Sequence, residues 1–395
     1  MDNFGSFGQI KKLFERDKVH HDNGLFKLHH QVNFCVILVG VLFIFGENYL
    51  NGKAIICRGG DDYANQFCWL HGTGHLHKDL AEDITGFCKM DVTEENDRHT
   101  DYYLWLPFIL GVCMGLVKIP RIIWKNLCER GIMASMVGDD KQNGEKIAAR
   151  FKKLKKRSGQ YHVFFAVCEL LNIVMLIACF QIMDSLLNGS FWKYGTDVQK
   201  YYNSATKKTD ANPMCNLFPT EVACNLCTGA IGGGCNDKSS ILCILSNNLF
   251  NQYFFLILWF WWILLLAISI IGLIYRLAQI FIPSFSKKVL QAVYLAPYGL
   301  EQKVTKLSLS SGEYFLLGRL AMNVKGSTME KVLKELKYSM ATKEEGNQLF
   351  KMDTRDNGNH IVTMSAQDDG NTPETKSTQD DGVQLITMAS QGGAI

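Results

Sequence analysis

The sequence carries no catalytic signature. GxSxG, the phosphate loop GxxxxGK[ST] and HExxH are all missing, so no nucleophile elbow, nucleotide cradle or zinc-hydrolase helix is in prospect. The glycines of GAIGGGC at 229–235 read as following no strand and opening no helix, which makes them a flexible loop. A cleavable secretory signal is also missing. The first 30 residues are charged and His-rich, without an apolar core or a small-residue cleavage site. The first apolar segment is therefore expected to act as an uncleaved anchor. Most telling is where charge is scarce. The 395 residues carry a net charge of +3 and are 47% hydrophobic, but the apolar residues are bunched into 28–50, 103–124, 162–187 and 253–277. Each is long enough to cross ~30 Å of hydrocarbon. The fourth runs YFFLILWFWWILLLAISIIGLIY without a charge, and so has no polar face to offer water.

Orientation follows from lysine and arginine. Lys11, Lys12, Arg16, Lys18 and Lys27 precede the first span, a dense run from Arg121 to Arg157 joins the second and third, and Arg276, Lys287 and Lys288 follow the fourth. The stretch between the first two spans is acidic instead, with Asp61, Asp62, Asp79, Glu82, Asp83 and Asp91 among others. Both termini and the middle loop are thus expected in the cytoplasm. Of 13 cysteines, Cys57, Cys68, Cys88, Cys215, Cys224, Cys227, Cys235 and Cys243 fall in the two loops assigned outside, where disulfides persist. Cys35, Cys113, Cys128, Cys168 and Cys179 read as small apolar fillers.

The fold class is therefore an all-α membrane protein, a bundle of four transmembrane helices with two extracellular loops and a helical cytoplasmic cap. A cytoplasmic head (1–27) precedes the first span (28–50). Extracellular loop one is 51–102, the second span 103–124, the basic loop 125–161 and the third span 162–187. Extracellular loop two is 188–252, the fourth span 253–277, the cap 278–340 and a polar tail 341–395. The tail is too poor in apolar residues to fold alone. Phe4, Phe7, Ile10, Leu13 and Phe14 give the head a helical apolar stripe. The basic loop serves either as a solvated face or as a contact for anionic lipid.

Histidines invite two readings each. His71, His75 and His77 in HGTGHLH have metal-like spacing, but no fourth ligand is dictated, and neither metal nor other cofactor is expected. His20, His21, His29 and His30 stand near the cytoplasmic mouth of the first span, as pH sensors or as polar residues at headgroup level. Glu169 and Asn172 share one face of the third span, which meets either another helix or water.

Local sequence then narrows the field. YYLWLPF at 102–108 resembles the innexin signature YYQWVPF, departing at Leu104 and Leu106. IPRIIWK at 119–125, FCWLHGTG at 67–74, LFPTEVAC at 217–224, CILSNNLFNQYFFLILWFWW at 243–262 and GEYFLLGRLAMN at 312–323 are similar to innexin stretches in the same order. Together, and in order, they are spread along most of residues 20–340. Connexin cysteine spacing and the tetraspanin Cys-Cys-Gly are both absent.

The resemblance implies a non-enzymatic gap-junction channel subunit in the plasma membrane. Its partners would be innexin subunits of the same or another kind in an octamer-like ring, a hemichannel of the adjacent cell, and lipid, but no nucleic acid. An undocked release channel and a non-conducting adhesion organiser are the alternatives. It further implies that Cys57 pairs with Cys243 and Cys68 with Cys224, and that Asp2, Asn3 and Phe4 line the pore. Tyr102, Tyr103 and Trp105 belong to the signature, and Pro107, lacking an amide hydrogen, is a candidate hinge. Asn188-Gly-Ser190 is a glycosylation sequon close to the membrane boundary.

Overall fold

A computed structural model describes residues 23–50, 54–74, 101–129, 131–138, 143–204, 212–227, 238–305 and 307–356. The chain divides into two compact units, Met1–Met340 and Ala341–Ile395.

The first unit is built on four long apolar helices: α1 (Gly24–Leu50), α3 (Tyr102–Leu127), α5 (Gly144–Leu186) and α8 (Asn247–Phe281). Their lengths, 26 to 43 residues, exceed the ~20 that a crossing needs. Short α2 (Asp62–His71) lies between α1 and α3, and α4 (Ile132–Val137) follows α3. α6 (Phe191–Asn203) and α7 (Pro213–Leu217) follow α5. α9 (Pro283–Val289), α10 (Ser311–Ala321) and α11 (Gly326–Asp356) complete the order. In the bundle α1 packs on α3, α3 on α5, α5 on α8, and α8 returns to α1. The basic loop forms a helix that runs on into the third span as one element, Gly144–Leu186.

α1 is not uniformly wound. Its turns Leu28–Asn33 and Gly46–Leu50 are π-helical, and they carry its buried polar residues, His29, His30 and Asn33 in one and Asn48 in the other. A π turn widens the helix and re-aims side chains.

Two apolar cores hold the unit. One joins the bundle to the loop end, through Ile44, Leu106, Phe180, Phe191, Phe218 and Trp262. The other lies at the opposite end, where Phe26, Trp124, Phe151, Phe165, Phe315 and Leu333 meet. In α11, Val332, Leu333 and Leu336 face inward while Lys331 and Lys334 face out, so KVLKEL is an amphipathic surface helix. Large apolar side chains also remain exposed along the bundle, including Leu42 (65%), Ile257 (65%) and Ile271 (67%). Water does not stabilise such a surface; lipid or a neighbouring subunit does.

The loops add a three-stranded sheet that the sequence reading missed. β1 (Ile56–Cys57), β2 (Glu221–Cys227) and β3 (Lys238–Ile244) lie in the order β1-β3-β2, all antiparallel. Cys227 pairs with Lys238, so the segment holding GAIGGGC joins two paired strands. It does follow a strand, contrary to the expectation.

Candidate functional site

The loop end is tied together twice. β1 pairs Cys57 with Cys243 of β3 in register, and a disulfide joins them. Cys68 on α2 is bonded to Cys224 on β2. These bridges close separations of 186 and 156 residues and fasten one loop to the other. All four sulfur-bearing residues are buried. The Sγ atoms of Cys57, Cys68 and Cys243 lie within 4.8 Å of one another, because the two bridges pack side by side. Sulfurs engaged in disulfides offer no thiolate for a metal. Cys215 is disulfide-bonded as well. Cys88, Cys235 and the side chain of Cys227 lie outside the described residues, as do His75 and His77.

Beneath the sheet a polar network locks three helices. Pro107 gives the Tyr103 carbonyl no i+4 donor. The Asn48 amide supplies one at 3.1 Å, and the Tyr49 hydroxyl donates to the Leu104 carbonyl at 2.7 Å. Asn48 Oδ1 in turn accepts from Asn247 Nδ2 at 2.7 Å. Asn248 Nδ2 donates to the Tyr102 hydroxyl at 2.8 Å and to the Pro219 carbonyl. The Tyr194 hydroxyl donates to the Gln252 carbonyl at 2.8 Å, and burial pushes that phenol well above its ordinary range. Of the signature residues, Tyr102, Tyr103 and Pro107 are therefore inside, while Trp105 is 55% exposed. α3 runs through Pro107 as a helix, since neighbours satisfy the acceptors that the proline frees.

Further along the bundle, Asn33 Oδ1 accepts from both Trp261 and Trp262 Nε1 at 3.0 Å. The Ser269 hydroxyl donates to the Leu265 carbonyl, so its oxygen accepts from His29 Nε2 at 2.7 Å. His30 Nδ1 donates to the Phe26 carbonyl. His29 and His30 are both buried. His20, His21, Asp2, Asn3 and Phe4 lie outside the described residues.

Glu169 meets a helix, not water. Arg276 of α8 grips its carboxylate with two bonds, Nε to Oε2 at 2.9 Å and Nη2 to Oε1 at 3.1 Å. Asn23 Nδ2 adds a third at 2.7 Å. Arg276 also donates to Gln279 and lies 4.8 Å from the ring centres of Phe165 and Phe315. The sequence reading flagged Glu169 but counted Arg276 only as flanking positive charge. A buried carboxylate needs a cation, and Arg276 was the cation nearest the inner end of the fourth span. Asp184 accepts from the backbone amides of Phe191 and Trp192 and so starts α6.

Comparison with known proteins agrees with this architecture. The innexin family profile matches residues 22–340. Innexin inx2 of Drosophila melanogaster is 27% identical over 86% of this chain and 97% of its own length. Innexin inx3 of the same species is 26% identical over 83% and 87%. Innexin inx2 of Schistocerca americana is 26% identical over 88% and 99%.

Proposed function

The chain belongs to the innexin family, and on that footing we propose that it forms a ring-shaped hemichannel that docks end to end with one in the adjacent cell. The observation that carries the reading is the double disulfide tie at one end of a four-helix bundle. A surface that must meet another ring needs two loops held as one rigid body. Breaking a native disulfide typically costs about 2–5 kcal/mol.

In this reading the disulfide end is extracellular and both termini are cytoplasmic, on the strength of the lysine and arginine bias. Residues 28–50, 103–124, 162–187 and 253–277 cross the membrane, and the polar tail begins within α11, which runs helical to Asp356. The subunits, of one or several innexin kinds, form an octamer-like ring, since a heterologous interface repeated around an axis closes on itself. The head folds into the pore mouth, where Asp2, Asn3 and Phe4 line the constriction and Asp2 favours cations. Pro107 acts as the gating hinge, and the four histidines near the first span tune opening by pH.

Imaging of purified particles tests the assembly: rings with a central opening, some paired end to end, are expected, and compact monomers would refute it. Antibody tags near Lys141 and Gly370 should be invisible on intact cells; surface labelling of either would reverse the orientation.

A second reading, an undocked large-pore release channel, is favoured by Asn188. This residue is exposed just past α5 in its Asn-Gly-Ser sequon, and a glycan there would obstruct docking.

A further inference from the structure

Asn23 caps the start of α1 within the head, residues 1–27. It is held from two sides. Its Oδ1 accepts the Phe26 amide at 2.8 Å, which caps α1. Its Nδ2 donates to Glu169 Oε1 at 2.7 Å. Glu169 is itself fixed, because Arg276 holds both carboxylate oxygens. Glu169 and Arg276 side chains are 2% and 6% exposed, so water does not screen the pair. Arg276 is steadied by Gln279 at 2.6 Å and by the rings of Phe165 and Phe315. Phe315 belongs to α10, in the core at the end away from the disulfides.

Capping alone does not require this arrangement. A serine or aspartate at position 23 would cap α1 as well. The amide nitrogen is what adds the bond to the buried ion pair, and that bond fixes the base of the head against α5 and α8. We propose that Asn23, through Glu169 and Arg276, positions the head in the pore and links its placement to the packing of α10. The inference rests on the reading that the head lines the pore. Asn23 acts on the permeant ion only through the head, which makes it a positioning residue.

The test uses the full-length channel and reversal potentials under a salt gradient, with surface amount checked by biotinylation. Asn23→Ser keeps the capping oxygen and removes the donor to Glu169. It is expected to move the cation-to-anion permeability ratio toward unity, as Asp2→Asn does. Asp2→Asn added to Asn23→Ser should then change little more, since a displaced head no longer holds Asp2 at the constriction. Asn23→Asp, which caps equally well but sets a carboxylate against Glu169, is expected to shift the ratio at least as far. Phe315→Leu, which removes a ring from Arg276, should shift it in the same direction. If Asp2→Asn shifts the ratio while neither Asn23 variant does, or if the two effects add fully, the inference is overturned and the pore reading stands. If Asp2→Asn has no effect in a conducting channel, the head is not in the pore, and both fall.

Discussion

Asn48 donates its side-chain amide to the Tyr103 carbonyl, the acceptor that Pro107 leaves without an i+4 partner. One residue on the first long helix thus repairs a gap that a proline opens in the second. Replacing Asn48 by alanine should strand that carbonyl and release Asn247, at a cost of about 1–3 kcal/mol. Pro107→Ala restores an amide at position 107, so Asn48→Ala should cost much less in that background. Thermal unfolding of the four proteins in detergent checks the cycle. Strict additivity would mean that Asn48 does not serve the proline gap.

The paired disulfides predict a specific misfolding. In Cys57→Ser, the freed Cys243 thiolate stands within reach of Cys68, since the three sulfurs lie within 4.8 Å in the intact protein. Attack on Cys68 Sγ would form Cys68–Cys243 and release the Cys224 thiolate. Non-reducing peptide mapping should find that bridge in the single variant. The double change Cys57→Ser with Cys243→Ser should retain only Cys68–Cys224 and reach the surface in larger amount. A single variant with Cys68–Cys224 intact would contradict the exchange.

Helix approach at Gly312 is set by backbone contact. A Cβ there would lie 2.6 Å from the Ser158 and Gly159 backbone, which cannot swing aside like a side chain. Gly312→Ala should therefore destabilise the packing of α10 on α5 by about 1–3 kcal/mol. Gly115→Ala, where a Cβ meets nothing within 4 Å, should be neutral or mildly stabilising. Melting temperatures that do not separate the two would refute the contact.

Tyr194 gives the loop end an alkaline limit. Burial raises its pKa in the fold above the unfolded value near ~10. Its contribution is therefore complete below about pH 10 and is lost as pH rises from there toward the raised value. Tyr194→Phe should be less stable than the parent at pH 8, by about 1 kcal/mol. The gap should narrow or reverse at pH 11. A gap that is constant across this range would show that the phenol does not titrate with unfolding.

The bundle was legible in the sequence because the bilayer imposes length and hydropathy on any crossing helix, and 253–277 meets both without ambiguity. The sheet was not. β1 has two residues, and β2 reads EVACNLC, in which Val222 is the one β-branched residue and apolar and polar residues do not alternate cleanly. β2 and β3 pair within one loop, whereas β1 joins them from a loop more than 150 residues away, which the disulfides bring together. Glu169 was legible as a charge in need of a partner, whereas the choice of Arg276, 107 residues away, belongs to helix packing. The burial of His29 and His30 was hidden because the π turn that aims them inward has no simple sequence mark.

The central claim is that one chain builds a channel that joins two cells. Expressed alone in both cells of a pair, it should give junctional current that disappears when the Cys57–Cys243 tie is removed by the double serine change. Junctional current should be reduced or absent when only one cell expresses it. Single-membrane current without any junctional current, in cells with normal surface protein on both sides, would contradict docking and favour the release channel.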